Sequence, residues 1–453
     1  MLLLSKKTTL LYIIGILSLI VINSCGPNKG YLAGASAYDD EEQMWNPSYR
    51  VYHTSAKTTR FYFIIPPGDI LFVRNPQSRK FEASAQINYH IIKPENKTTT
   101  TIKKGVIKID RENDEIPSEA IVGYFDVEIP DGHFYYASIV LNDKFRKHQF
   151  EDLLTIDKKN KGSAEDFIIT DSTNSVKFMN YVASDSKVKI SSERLKSSKF
   201  YVTRYFPISE YPLPIYVERD VQKMSITKDT TYQFNSDDFI IFEKPGIYHV
   251  QVDTTKVSGL TLLNFYEGYP LIAQRKNIAP PMRYITSDEE FEELAVGTDA
   301  SKLKTEKIWA SMSNDLPKTE NLITTYYKRI QFANVYFTSY KEGWRTDRGL
   351  VYSIFGPPSS IYKTPKGEQW TYGTQNSTLD FEFTFEKAIN PLTNNDYILI
   401  RDDDKKTIWQ KAVEYWRKGK VFDQNEIVRL QEEIDRQNRY RNNYWYPSYY
   451  RGY

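Results

Sequence analysis

The apolar positions of this 453-residue chain change their rhythm partway along it. From about residue 50 to 165 they come in short runs at 60–65, 70–73, 83–91, 98–109, 121–129 and 134–141, with Pro66-Pro67-Gly68 and Asp131-Gly132 as turn signals between runs. Short runs bounded by turn residues predict strands, each half-buried on one face. A second stretch of the same kind follows at 200–205, 239–242, 246–252 and 260–266, where Lys244-Pro245-Gly246-Ile247-Tyr248 has the form of a tight turn feeding a strand.

The rhythm shifts near Ala279-Pro280-Pro281. Ser287-Asp288-Glu289-Glu290 has the spacing of a capping box ahead of a short acidic helix. Residues 308–312 suggest another helical turn, and 320–340 a longer helix, because Leu322, Ile323, Tyr326, Ile330, Ala333 and Phe337 share one face. Leu350, Val351 and Ile354 continue a helical face that stops at Gly356, although Val, Tyr, Ile and Phe over 350–355 also suit a strand. Residues 379–386 alternate strictly, 397–401 form a neighbouring strand, and Asp402-Asp403-Asp404 turns into a helix over 407–418. The pattern predicts a multidomain chain: all-β immunoglobulin-like sandwich domains over 50–165 and 166–278, the latter β-rich, then an α+β domain over 279–422. A charged, exposed helix with an aromatic, basic tail fills 423–453.

The N-terminus follows other rules. Lys6 and Lys7 precede an apolar run over 10–22, which is short for a permanent membrane span and has the layout of a signal peptide. Ile22-Asn23-Ser24-Cys25 then resembles the bacterial lipobox, which implies cleavage after residue 24 and acylation of Cys25. Cys25 is the only cysteine, so neither an internal disulfide nor a thiolate metal site is available. Residues 25–49 lack periodicity and read as a lipidated tether. Gly26, in place of the aspartate that retains such proteins at the inner membrane, points to the outer membrane; the acidic cluster Asp39-Asp40-Glu41-Glu42, far from the cysteine, favours its periplasmic face.

Without Lys6 and Lys7, the 60 basic and 58 acidic residues balance, which leaves no positive field to draw in nucleic acid. Candidate chemistry is sparse. Glu382 and Glu386 invite an acid–base reading, but strict alternation makes them the wet face of a sheet. His53, His90, His133, His148 and His249 show no metal-ligand spacing, Ser359 and Ser360 have no evident base, and Asp402–Asp404 lacks the rest of a calcium loop. The expectation is no catalytic residue, no metal and no cofactor.

One motif stands out. Gly343-Trp344-Arg345-Thr346-Asp347-Arg348-Gly349 resembles the signature of the GWxTD-domain family of bacterial envelope proteins, and the resemblance extends through Gly356, Pro358, Trp370, Tyr372 and Trp416. It implies an extracytoplasmic domain behind β-rich modules, with no reaction attached. In this reading the motif is structural: Gly343 is the left-handed C-cap of the long helix, Trp344 folds back on its last turn, and Thr346 or Asp347 caps the next helix. The run from Val351 through Gly356, Pro358, Trp370 and Tyr372 also resembles the SmpA/OmlA fold of a barrel-assembly lipoprotein. In the tail, Tyr444, Trp445, Tyr446, Tyr449, Tyr450 and Arg451 are residue types enriched in interface hot spots, and make a docking segment the alternative to a disordered end. The sequence thus predicts a non-enzymatic outer-membrane lipoprotein whose partners are the membrane, through its lipid, and other envelope proteins, either outer-membrane barrels or secretion and gliding components. A glycan- or peptidoglycan-binding role is the alternative.

Overall fold

The computed structural model describes residues 31–33, 47–95, 99–197, 199–218, 226–236, 238–272, 274–294, 301–313, 315–373 and 381–444. The signal-peptide residues 1–24, Cys25, and Trp445, Tyr446, Tyr449, Tyr450 and Arg451 of the tail lie outside them. Of the stretch read as a tether, residues 31–33 form a strand, β1 (Tyr31–Ala33), which belongs to a sheet built from the far end of the chain.

The first sandwich comprises β2 (Ser48–His53), β3 (Thr58–Ile65), β4 (Val73–Arg74), β5 (Phe81–Pro94), β6 (Thr99–Asn113), β7 (Ile121–Glu128), β8 (Phe134–Asp143) and β9 (His148–Asp157). Alternation drives it: along β3, Thr59, Phe61, Phe63 and Ile65 are buried while the residues between them are not. The strands pair antiparallel into a 2-3-7 sheet and a 6-5-8-9 sheet, with β4 a short addition beside the start of β5. Phe61, Ile87, Phe125, Ile139 and Leu141 pack between them. The predicted strand at 70–73 is mostly a turn. Pro66 and Pro67 withhold ladder donors, Pro67–Asp69 makes a single 3-10 turn, and the Leu71 amide donates to the Asp143 carboxylate at 2.7 Å rather than to a neighbouring strand.

The second sandwich repeats the plan with β10 (Ile168–Asp171), β11 (Lys187–Ser191), β12 (Lys199–Tyr205), β13 (Lys228–Asn235), β14 (Phe239–Ile241), β15 (Gly246–Gln251) and β16 (Leu260–Asn264). Its sheets run 10-11-14 and 13-12-15-16. Lettered A, B, C, C′, E, F, G, both domains read A-B-E against C′-C-F-G, an immunoglobulin-like order. Both also carry a tyrosine at the start of strand F that donates to a carbonyl just upstream: Tyr135 to Pro130 at 2.9 Å, and Tyr248 to Lys244. That bond fixes the corner where the chain crosses between sheets.

The C-terminal domain is α+β. Its helices are α1 (Asp288–Glu293), α2 (Ser301–Met312), α3 (Leu316–Phe337), α4 (Asp347–Phe355), α5 (Lys406–Arg417) and α6 (Gln424–Tyr444). Its strands β17 (Ser360–Thr364), β18 (Gly367–Tyr372), β19 (Phe381–Lys387) and β20 (Tyr397–Leu399) form an antiparallel sheet to which β1 adds at the β17 edge. The capping box is present at α1: Glu290 N donates to Ser287 Oγ and Ser287 N to Glu290 Oε2. Residues 350–355 are helix, not strand. The predicted exposure of the last helix fails at its start, where Ile427, Leu430 and Gln431 are buried in the domain.

Candidate functional site

The GWxTD motif lies where α3, a 3-10 turn over Gly343–Arg345, and α4 meet. Helix α3 ends at Phe337, well before Gly343, and Gly343 is not left-handed, so the predicted C-cap role is wrong. Its glycine serves close approach instead. A Cβ at Gly343 would sit 1.9 Å from the Ala333 carbonyl oxygen, and one at Gly349 would sit 2.0 Å from the Gly343 carbonyl oxygen. The two glycines let the turn press on one helix and the next helix press on the turn. The predicted cap at Thr346 is present: its hydroxyl accepts from Gly349 N at 3.0 Å and donates to Gly343 O at 2.7 Å.

Asn334, fully buried on α3, accepts from Trp344 N at 3.2 Å and donates to Pro270 O at 3.0 Å. Tyr284 donates to Trp344 O at 2.7 Å. Burial pushes the Tyr284 and Tyr269 hydroxyls well above their usual pKa, so both remain protonated. The Trp344 indole is 1% exposed, packed edge-on against Tyr211 and Tyr284, and its Nε1 donates to Glu342 at 3.1 Å. Arg345 lies over both the Trp344 and Tyr211 rings, pairs with Glu342, and donates to Ser209 O at 2.7 Å. Asp347 does not cap α4. Its carboxylate takes a two-pronged ion pair from Arg401 (2.7 and 3.0 Å) and the Leu399 amide at 2.9 Å. Arg401 in turn donates to Leu213 O and Pro214 O.

Ser209, Tyr211, Leu213 and Pro214 belong to the loop after β12 in the second sandwich. The motif therefore holds a loop of one domain on the helical corner of another, through Arg345 at one end and Arg401 with Asp347 at the other. A cleft of about 120 Å³ remains beside Ser209, Tyr266, Glu342 and Arg345.

The far end of α4 gathers the other motif residues. Gly356 ends the helix with φ +78°, where a Cβ would strike the Arg329 guanidinium. Its carbonyl accepts from Tyr372 Oη at 2.8 Å, and the Trp416 indole donates to Ile354 O at 3.0 Å. Arg329 lies on the Trp416 ring and donates to Ile354 O and Phe422 O. Trp370 and Tyr372 are fully buried on β18, and Pro358 is buried just after the helix.

Sequence reasoning missed Asn334, Glu342, Arg345, Arg348, Glu368 and Arg401. Arg348 pairs with Glu368 at 3.1 Å, both nearly fully buried, and lies over the Tyr397 ring. Of these, the motif's own arginines, Arg345 and Arg348, left a trace in the sequence, as charges within the signature itself. Elsewhere, Glu382 accepts from Gln369 at 2.6 Å and Glu386 is exposed. His53 and His249 are buried, each bonded to a threonine hydroxyl and a backbone carbonyl. Among the described residues, no group of three or more His, Cys, Asp or Glu is placed to hold a metal ion, and no helix is long and apolar enough to cross a membrane.

No curated protein matches the chain. A solved structure with detectable similarity is red sea bream transglutaminase, at 6% identity over 50% of this chain and 32% of that one, with a TM-score of 0.17 that carries no argument. The chain thus spans about a third of the length of that structure. Residues 246–418 match the family model described as the GWxTD domain, a span that opens at β15 inside the second sandwich and leaves the loop at 209–214 that the motif holds outside it. The chain therefore carries a region, residues 246–418, that matches the GWxTD domain.

Proposed function

We propose that this protein is a non-enzymatic scaffold of the bacterial envelope, lipid-anchored through Cys25 at the periplasmic face of the outer membrane, and an accessory subunit of a machine that assembles outer-membrane proteins. One observation carries the scaffold reading: the polar side chains of the family motif are engaged in joining domains. Asp347, Arg345 and Glu342 are bound to Arg401, Ser209 and each other, and Trp344 lies beneath the Tyr211 they hold in place. A motif spent in this way favours a rigid multidomain body over a site that turns over substrate. Anchoring rests on the lipobox resemblance at 22–25, where each buried acyl methylene contributes about 0.8 kcal/mol. The tail residues Tyr444 to Arg451 are the candidate docking segment.

Cross-linking in intact cells followed by mass spectrometry tests the scaffold role. Reproducible outer-membrane barrel partners support it, and secretion or gliding components would move the protein to that machinery instead. Deleting 441–453 should leave folding intact and reduce partner recovery; undiminished recovery would end the docking role of the tail. A Cys25→Ser variant that still fractionates with washed envelopes would remove the anchor.

A glycan-binding role has one observation in its favour. On the outer face of the β3–β7 pair, Tyr124 is 56% exposed with its ring 5.7 Å from Tyr62, and the paired Arg60 and Asp126 lie alongside. The two rings are tilted by 55° and the Arg60 guanidinium lies 4.1 Å over Tyr124. What is offered is therefore an exposed aromatic edge flanked by hydrogen-bonding groups, of the kind a sugar ring can pack on. Retention of the protein on purified cell wall, lost in Tyr124→Ala, would select that role over scaffolding.

A further inference from the structure

We infer that the N-terminal anchor leaves the molecule beside the C-terminal sheet, so that the GWxTD domain, rather than a free-swinging string of domains, meets the lipid surface. The inference rests on the lipid anchoring at Cys25 proposed above. Strand β1 pairs antiparallel with β17, with Tyr31 opposite Lys363, Leu32 opposite Tyr362 and Ala33 opposite Ile361. A segment that precedes the first sandwich in sequence is thus held by the domain at the other end of the chain.

The β17 edge has physical reason to accept it. Among the described strands, β17 pairs with β18 on one side, and without β1 its other side would present a row of unpaired amides and carbonyls. That edge also lies close to β9, the edge strand of the first sandwich. Lys363 on β17 reaches Asp152 on β9 at 3.8 Å, and Asn394 reaches Thr155 on β9 at 3.4 Å. Strand β1 touches both β17 and β9. It therefore sits where two sheet edges converge, and the chain passes from there into β2.

Chain geometry turns this pairing into a distance. A free tether from Cys25 to Ser48 at the start of β2 could extend to roughly 80 Å, at about 3.3–3.6 Å per residue. With β1 pinned, only the segment from Cys25 to Tyr31 is left, which reaches at most about 20 Å. The acyl chains must then enter the bilayer within that distance of β17, and the C-terminal sheet edge becomes the membrane-proximal part of the body.

Cross-strand partners in an antiparallel pair have Cα atoms about 4.5–5.5 Å apart, within the range a disulfide spans. Full-length protein carrying Leu32→Cys and Tyr362→Cys should form that disulfide on mild oxidation. Leu32→Cys with Val106→Cys, placed on the exposed edge strand β6, should not. Mass spectrometry of the mature N-terminus reports acylation of Cys25 in the same preparation. Acylated protein without the Leu32–Tyr362 disulfide, or with equal cross-linking to position 106, overturns the pairing and leaves the anchor reading intact. A disulfide in unacylated protein removes the anchor instead, and membrane proximity with it. For placement, the acylated protein is reconstituted in phosphatidylethanolamine–phosphatidylglycerol vesicles with a headgroup-attached quencher. A fluorophore at Lys366→Cys should be quenched more strongly than one at Ile116→Cys on the first sandwich, and equal or reversed quenching overturns the proposed orientation.

Discussion

Domains consecutive in the chain meet at two joints, and these are built from different chemistry. Between the sandwiches the contacts are polar. Arg194 bridges Asp166 of the second domain and Asp131 of the first, Arg50 donates to Lys177 O and Asn180, and Tyr52 Oη accepts from Glu193 N. Nearby, the Lys158 ammonium donates to the carbonyls of Ser55, Ala56 and Thr58, and burial pulls its pKa down to about 8. The apolar cores of the two sandwiches stay separate. At the second joint the core is shared: Ile215, Tyr266 and Ile272 pack with Trp344, Ile330 and Phe337, while Ile247 and Leu263 of the second sandwich meet Leu392. Two copies of one fold are thus attached in two ways. The first can separate by exchanging its hydrogen bonds for water, whereas the second must expose apolar surface to open, and it sets the second sandwich and the GWxTD domain apart as one unit.

The largest effect is expected at the apolar joint. Trp344→Ala should destabilise the second sandwich and the GWxTD domain together by about 3–5 kcal/mol. Thermal unfolding followed by hydrogen exchange checks this: loss of protection confined to the helices would mean the joint does not couple the two domains. At the polar joint, Arg194→Ala leaves the Asp166 carboxylate buried without its cation and should cost about 2–3 kcal/mol. The lost protection should fall at the sandwich–sandwich boundary and spare α3 and α4; protection lost in those helices instead would merge the two joints.

The sandwiches should also lose stability in acid. Burial lowers the pKa of His249, on β15 of the second sandwich, to about 4, and that of His53 to about 3. The unfolded chain takes up a proton below about pH 6.5, while folded His249 refuses it until about pH 4. This term is absent above pH 6.5 and subtracts from stability as pH falls through that window, by roughly 2 kcal/mol between pH 7 and 5. His249→Gln should remove that part of the slope, and parallel stability–pH curves for the two proteins would contradict the assignment. The smallest change is expected away from both joints. Arg60→Ala breaks a half-exposed pair with Asp126 and should shift stability by less than about 1 kcal/mol, setting the scale against which the joint variants are read.

The strands at 60–65, 83–91 and 121–129 were legible because alternation there reports burial directly, as were the capping box at Ser287, the cap at Thr346 and the helix stop at Gly356. β13 was not, because it lies largely exposed and carries no alternating apolar face to detect. Gly343 misled for a related reason. A glycine after an apolar helical stripe ordinarily marks a left-handed cap, and nothing in the local sequence shows that this one faces the Ala333 carbonyl instead. Arg401, Ser209 and Asn334 were invisible as site residues because their partners lie 54, 136 and 10 positions away.

The amino-acid order alone determined the period of each element, the places where helices begin and stop, and the presence of the GWxTD signature. These are local matters, decided by the side chains within a turn or two of one another. Only the tertiary structure decided that the motif's ion pairs clamp a loop from another domain, that the two sandwiches share one strand order, and that β1 closes the edge of a sheet built at the opposite end of the chain. Such pairings depend on which distant carbonyl, ring or strand edge folding brings within hydrogen-bond reach, and no spacing along the chain encodes that distance.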